Sequence, residues 1–195
     1  MMMNFRSFSL AAVCVLAGFA PSVTAAASPA LQSSTAVPIS RVVAQGRTQS
    51  TWNKFSPKDG SFSILMPGKP EEEHKSGTSP DEPLEDHTFK VQTDEGLFIV
   101  SYAEFAEELS QANPQNVLDE VTKGFDGGGT KVVSQRNITL NGTPGREVEY
   151  TVTEGINARA RIFLVKQRLY LLQVVSGKNE HRVRFLDSFQ LMKKG

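Results

Sequence analysis

Cysteine is almost absent from this sequence. Cys14 is the only one in 195 residues, and it lies in an amino-terminal segment that we expect to be removed from the mature protein. A mature chain without a thiol excludes disulfide bonds, cysteine nucleophiles and thiolate metal sites. Net charge is absent as well, because 21 basic residues balance 21 acidic ones. The composition therefore indicates neither a nucleic-acid partner nor an anionic lipid surface nor a polycation.

The first residues follow the order of a secretory signal peptide. Arg6 precedes an apolar run from Leu10 to Ala20, and small residues then continue to Ala27. This order predicts a signal peptide over residues 1–27, cleaved after Ala25 or Ala27. The apolar run is about half as long as the ~20 residues that a membrane-spanning helix needs. We therefore expect no transmembrane anchor in the mature chain.

Cys14 also has to be considered as a lipid-attachment site. A lipid-modified cysteine closes the apolar run and follows a small residue, whereas Val13 precedes Cys14 and the run continues to Phe19. The pattern of a lipoprotein leader is not matched. We predict an exported protein without a lipid anchor, in the periplasm, in the thylakoid lumen or outside the cell.

Composition changes again after the leader. Residues 28–50 are mostly Ser, Ala, Pro, Gln, Thr and Val without a sustained period, which predicts a flexible linker. A folded domain is predicted over residues 51–193, beginning near Trp52. At its start, Glu71 to Glu85 is acidic and contains prolines. This composition predicts a long surface loop.

Runs of apolar and β-branched residues between turn residues predict strands over most of this domain. The predicted strands are Phe62 to Met66, Thr88 to Gln92, Leu97 to Ala103, Lys131 to Leu140, Arg146 to Val152, Ala158 to Val165 and Leu169 to Ser176. Asn141-Gly142 is a strong hairpin signal between two of them. With Val148 facing the core opposite Ile162, we expect Glu149 to lie across from Arg161 on the other face.

Two helices are predicted beside the strands. One runs from Pro114 to Lys123, where Asn113 can cap its first turn and Gly124 can end it. A shorter one starts at Asn179 and carries Val183 and Leu186. The sequence therefore predicts an α+β fold, a mostly antiparallel β-sheet with helices packed on it.

Catalytic motifs are hard to find in this chain. Nucleophilic catalysis needs a base close to the nucleophile, and the histidines are limited to His74, His87 and His181. None accompanies a Gly-x-Ser-x-Gly turn, and all three are expected at the surface. We nominate no catalytic residue and predict that the protein is not an enzyme.

A metal site is the arguable exception. Carboxylates and imidazoles are dense between Glu71 and His87, and these groups are ligands of divalent metal ions. The candidate ligands are Glu73, His74, Asp86 and His87. Their spacing matches no fixed metal motif, so a solvated acidic loop without a metal or cofactor is the leading interpretation.

Several segments together resemble a known family. The segments are Phe62 to Pro67 with the following Gly-Lys-Pro turn, Asn141 to Glu147, Arg161 to Tyr170 and Phe185 to Phe189. They resemble exported bacterial proteins of the PsbP/Mog1-like superfamily over roughly residues 52–192. The resemblance implies an α-β-α sandwich around an antiparallel sheet. It also implies a role without catalysis. Members of the PsbP branch are extrinsic or assembly factors of photosystem II, and members of the Mog1 branch bind a small GTPase.

These observations predict an exported accessory domain with a protein partner. A membrane-protein complex such as photosystem II is the most concrete version of that partner. Two alternatives stay open at this point. One is a metal-dependent or acid-base enzyme that uses the acidic segment 71–87, and the other is a carrier that binds a small ligand between sheet and helices.

Overall fold

A computed structural model of the protein describes residues 51–77, 83–105, 112–152, 155–176 and 178–192. The predicted signal peptide, the predicted linker and residues 78–82 of the acidic segment lie outside these described residues. Within the described part of the chain, no helix has the length and apolar character needed to cross a membrane.

Seven antiparallel strands form the main sheet, in the order β3-β4-β5-β9-β8-β7-β6. Their bounds are β3 Glu71–Ser76, β4 Glu85–Thr93, β5 Gly96–Glu104, β6 Lys131–Leu140, β7 Thr143–Thr151, β8 Asn157–Val165 and β9 Arg168–Val175. Neighbours in this order are consecutive along the chain, except where β5 pairs with β9. The strands β3 and β6 are therefore the two edges of the sheet.

A smaller sheet and two helices cover the main sheet. The small sheet has the order β1-β2-β10, and its strands are β1 Asn53–Phe55, β2 Phe62–Met66 and β10 Gln190–Leu191. The helices are α1 Pro114–Lys123 and α2 Asn179–Asp187. Helix α1 packs on β7 and β8, whereas α2 packs on β2, β8 and β9.

Side chains alternate between the two faces of the main sheet, and each face has its own core. One face, which we call the α2 face, buries Phe89, Tyr102, Phe163 and Leu172 with Phe185 of α2. The opposite face, the α1 face, forms the second core. It buries Val148, Tyr150, Ile162 and Leu171 with Leu118 of α1. The predicted α+β class, a mostly antiparallel sheet with helices packed on it, is confirmed.

Local signals located several elements correctly. Helix α1 begins at Pro114, where the Asn113 side chain accepts a hydrogen bond from the backbone N–H of Gln115, and Gly124 caps its end. Asn141 and Gly142 both have positive φ, 51° and 84°. That backbone suits the tight turn between β6 and β7, and it explains why this dipeptide predicts a hairpin.

The predicted register of β7 against β8 was wrong by two residues. Val148 lies opposite Ala160 and Glu149 opposite Arg159, whereas Arg161 lies opposite Glu147. The loop between the strands closes through a hydrogen bond from the Val152 N–H to the Ile156 carbonyl, so Val152 belongs to the loop. A shift of two positions keeps every side chain on its face, and for this reason the face assignment of Val148 and Glu149 was correct.

The predicted acidic surface loop was also wrong over much of its length. Glu71–Ser76 forms strand β3, and Glu85 begins strand β4, which runs antiparallel to it. All six residues of β3 are exposed. A strand with water on both faces has no apolar alternation, and its pairing with β4 comes from tertiary context that propensity does not record.

One expectation about α2 was wrong as well. His181 is buried, not at the surface. Of the two apolar residues that the sequence pointed out, Leu186 is buried and Val183 is more than one-third exposed. The helix is turned so that Phe185 and Leu186 enter the core. His181 lies one turn before Phe185, so it shares the buried side of the helix.

Candidate metal centre

The hairpin of β3 and β4 places the candidate ligands. His74 of β3 lies directly opposite His87 of β4. Because side chains alternate along a strand, His74 and His87 share the α2 face. Glu73 and Asp86 are each one residue away and so project from the α1 face. The four residues predicted as metal candidates are therefore split into two pairs on opposite sides of the hairpin.

A third ligand joins the two histidines. Glu85 precedes His87 by two residues and lies on the same face. One ligand atom from each of His74, Glu85 and His87 falls within 4.8 Å of the other two. The carboxylate of Glu85 is already in hydrogen-bond contact with Nε2 of His74. Glu85 belongs to the acidic segment of the sequence, but only the pairing of β3 with β4 brings it beside the two histidines.

The pair on the other face has a different environment. Lys90 lies 3.4 Å from Glu73 and 3.8 Å from Glu71, and Lys75 is opposite Asp86. Burial raises the pKa of Asp86 above its ordinary value, against the lowering effect of Lys75. Lysines therefore compensate the carboxylates on this side, and no imidazole accompanies them.

Ring stacking holds His87 in place. The rings of His74 and His87 are stacked with centroids 4.3 Å apart, and His87 stacks in turn on Tyr102 at 4.7 Å. Tyr102 is buried, and the guanidinium of Arg168 lies 4.6 Å from its ring centroid. Burial raises the pKa of Tyr102 to about 12. The exposed His74 is thus connected to the core through a row of rings across neighbouring strands.

The electrostatics of the cluster favour an ionised carboxylate. The hydrogen bond with His74 holds the pKa of Glu85 below its ordinary value, and Ser76 donates a second hydrogen bond to the same oxygen. Among the described residues, no lysine or arginine forms an ion pair with Glu85. His74 is its charge partner, and it is charged only when the imidazole is protonated.

One nitrogen in the cluster has no hydrogen-bond partner. Nδ1 of His87 is buried and unpaired among the described residues. A carboxylate oxygen of Glu72 lies 4.0 Å from this nitrogen, and this distance is too long for a hydrogen bond. A buried imidazole nitrogen of this kind is unfavourable unless an ion, a water or a shifted carboxylate satisfies it.

His181 is separate from this hairpin. It lies on α2, where Nε2 is 3.8 Å from Glu95 and 3.7 Å from Glu180. Its ring is 6.1 Å from that of Trp52. The structure therefore brings together two of the three histidines and leaves the third in the packing of α2.

Other charged groups on the α2 face are engaged in pairs. Glu147 accepts hydrogen bonds from Nη2 of Arg136 and Nε of Arg161, each at 2.6 Å. Arg168 donates to Asp59 and Glu104, each at 2.7 Å. These pairs connect strands to one another or, at Asp59, connect β9 to the turn before β2, so we assign them to the fold and not to a site.

A cleft lies between α1 and β6. Its wall includes Asp119, Glu120 and Lys123 of α1 and Gln135 of β6. Arg146 lies nearby, since its guanidinium donates to both Asp119 and Gln135. The cleft is open and mixed in charge, and its polar groups are largely satisfied by one another.

No family model matches the chain, and no curated protein matches it. Solved structures to which its fold is similar include the solution structure of cyanobacterial PsbP, CyanoP, from Synechocystis sp. PCC 6803. That structure has a TM-score of 0.48 at 14% identity, with 75% of this chain and 96% of that chain covered. The crystal structure of the protein of unknown function PA94 from Pseudomonas aeruginosa, a putative regulator, has a TM-score of 0.38 at 10% identity, covering 67% and 88%. A Bacteroides thetaiotaomicron structure has a TM-score of 0.38 at 14% identity, covering 73% and 49%.

Proposed function

We propose that this chain is an exported accessory domain that binds a protein partner and does not catalyse a reaction. The observation that carries the proposal is the edge strand β3, Glu71–Ser76. All six of its residues are exposed, and it ends the seven-stranded sheet, so among the described residues no strand lies beyond it. An open strand edge is a template for an added strand.

The chemistry of this edge selects the partner. Glu71, Glu72 and Glu73 are consecutive, and Lys75 is the one basic residue of the strand. A second copy of the same strand would meet these carboxylates with its own. A partner segment rich in lysine or arginine would instead gain backbone hydrogen bonds and charge complementarity together. We therefore propose a basic extended segment of another protein as the occupant of the β3 edge.

The resemblance to the PsbP/Mog1-like superfamily suggests where such a partner would be found. The PsbP branch acts on photosystem II in the thylakoid lumen, and the segments that carry the resemblance are spread over roughly residues 52–192 of this chain. We accordingly propose a membrane-protein complex, with photosystem II as the most concrete case, reached from the lumenal or periplasmic side.

The arrangement of charges supports a binding role over catalysis. Glu147, Arg161 and Arg168 are engaged in ion pairs between strands, so they serve packing. An acid-base enzyme would have to use the β3–β4 hairpin, where His74 and Glu85 are exposed. We expect no hydrolase turnover from the purified domain. Turnover that survives replacement of all three histidines and Glu85 would show an active site elsewhere.

Partner binding can be tested with a matched pair of variants. Glu71→Gln with Glu73→Gln removes two charges from the β3 edge and leaves His74, Glu85 and His87 intact. The control, Glu120→Gln with Glu180→Gln, removes two exposed charges from the helices. Each mature protein is immobilised and exposed to solubilised membranes of the source organism, and captured proteins are identified by mass spectrometry.

We expect one membrane-complex subunit to be retained by the wild type and the control and to be depleted severalfold with the edge variant. Crosslinks from that subunit should map to β3 and to a basic segment of the subunit. Equal capture by both variants, or crosslinks confined to the opposite edge β6, would contradict the proposal.

A further inference from the structure

We propose that His74, Glu85 and His87 form a binding site for one divalent transition-metal ion, with zinc as the best fit. This inference goes beyond partner binding and does not depend on it. The proposed metal site is on the α2 face of the hairpin. Glu71 and Glu73, which we propose to interact with the basic partner segment, lie on the other face.

The distances are compatible with a site that closes on the ion. The three ligand atoms lie within 4.8 Å of one another. Ligands at about 2.1 Å from a tetrahedral ion are separated by roughly 3.4 Å. His74 and Glu85, which are in hydrogen-bond contact, therefore have to separate by about an ångström, and the widest separation in the cluster has to shrink by about as much. His74 and Glu85 are about half exposed, and His74 belongs to an edge strand, so rotation of these side chains meets little resistance.

The donor set selects the kind of ion. Two imidazoles and one carboxylate are typical zinc ligands, and three protein ligands leave a fourth position open for water. Calcium and magnesium prefer sites built from oxygen alone. The cluster therefore suits zinc, with cobalt(II) as a spectroscopic substitute, better than the hard cations.

The site is also partly organised before an ion arrives. His87 is held between the rings of His74 and Tyr102, and Tyr102 is buried in the core. The unpaired Nδ1 of His87 lies 4.0 Å from a carboxylate oxygen of Glu72, so a shift of about an ångström would let Glu72 accept a hydrogen bond from this nitrogen. A carboxylate in this role fixes the tautomer and orientation of a ligating imidazole.

An ordinary ion pair between protonated His74 and Glu85 is the competing explanation. It accounts for the contact of these two residues, but it does not involve His87 or its unpaired nitrogen. The two explanations differ on whether His87 is needed. A metal site requires all three side chains, whereas the ion pair would be indifferent to the loss of the second imidazole.

The hairpin supplies its own control. Glu73 and Asp86 lie on the same two strands, next to His74 and His87 in sequence but on the opposite face. Glu73→Gln with Asp86→Asn therefore changes the local charge without touching the proposed ligands. His87→Phe keeps a ring to stack on Tyr102 and removes the nitrogens, so loss of binding cannot be attributed to loss of packing.

Zinc chloride is titrated into the untagged mature protein. Binding is monitored by calorimetry and by the NMR signals of the three histidine rings. We expect one ion per chain and shifts of the His74 and His87 signals, with those of His181 unchanged. Affinity should fall at least tenfold in His74→Phe, in Glu85→Gln and in His87→Phe, and it should stay within twofold in the control variant. Cobalt(II) should give the visible bands of a tetrahedral ion.

Three results would each overturn the proposal. The wild type could show no saturable binding up to millimolar zinc, the control variant could lose as much affinity as the ligand variants, or His87→Phe could keep full affinity. A circular dichroism spectrum and an unfolding curve for each variant confirm that the comparison is made between folded proteins. Glu71 and Glu73 are unchanged in the ligand variants, so partner capture can succeed where zinc binding fails. Likewise, the edge variant leaves the three ligands intact, so zinc binding can succeed where partner capture fails.

Discussion

The two ends of the α2 face use charged side chains in opposite ways. In β7 and β8, Glu147 has only 3% of its side chain exposed and is sealed between Arg136 and Arg161. In β3 and β4, His74 and Glu85 are open to solvent at 48% and 44%, and no arginine or lysine pairs with that carboxylate among the described residues.

This difference separates structure from function. A carboxylate that is buried with two guanidinium groups has its charge compensated within the fold, and a ligand would have nothing to add. An exposed carboxylate between two imidazoles lacks such compensation, and a cation would supply it. The β7–β8 end therefore holds the sheet together, and the β3–β4 end is available for binding.

The largest effect is expected from Tyr150→Ala at the β7–β8 end. Tyr150 is 1% exposed and packs edge-on against Phe125, so truncation opens a cavity. We expect a loss of about 3–5 kcal/mol in the free energy of unfolding. His74→Ala at the other end should cost no more than about 1 kcal/mol. Urea unfolding of both variants measures the contrast, and similar losses would refute the division between the two ends.

The next effect compares two glutamates on the same strand and face. Glu147→Gln removes the buried carboxylate partner of Arg161, whose other ion pair is with the exposed Asp187. We expect a cost of about 2–3 kcal/mol. Glu149 pairs with Arg159 at 2.6 Å but is 43% exposed, so Glu149→Gln should cost less than about 1 kcal/mol. Chemical denaturation decides the order. A larger loss in Glu149→Gln would show that burial does not govern these pairs.

The smallest effect concerns pH. Burial alone would raise the pKa of Glu147, but hydrogen bonds from Arg161 and Arg136 outweigh it, and the pKa lies below its ordinary value. Such a group contributes stability that is fully present above the unfolded pKa of about 4.3 and is lost as pH falls through the lower folded pKa. The difference in stability between wild type and Glu147→Gln should therefore shrink between pH 6 and pH 3. A difference that stays constant over this range would contradict the assignment.

Much of the fold was predictable because local signals agreed with tertiary needs. The Asn141-Gly142 turn, the Asn113 cap and the apolar run of β5 each specify an element without knowledge of the rest of the chain. Edge strand β3 could not be found this way. Its sequence from Glu71 to Glu73 has low strand propensity and no apolar face, and it is a strand because β4 offers it a paired edge.

The candidate site was predictable only in part. Composition pointed to the segment that carries the proposed cluster, and to His74 and His87 within it. To choose Glu85 over Glu73 as the third ligand, one has to know which residues of β3 and β4 share a face and how the two strands are paired. A segment predicted as a loop gives neither. The burial of Glu147 was similarly hidden, because its partners Arg136 and Arg161 come from two different strands and meet only in the assembled sheet.

The most direct test of the central claim is a crystal structure of the mature protein grown with zinc, with diffraction data collected on both sides of the zinc absorption edge. Our account predicts one anomalous peak per chain between β3 and β4, with a nitrogen of His74, a nitrogen of His87 and an oxygen of Glu85 each about 2.0–2.2 Å from the ion. A peak coordinated instead by Glu73 and Asp86, a peak at His181, or no peak on a hairpin in which His74 remains paired with Glu85 would contradict it.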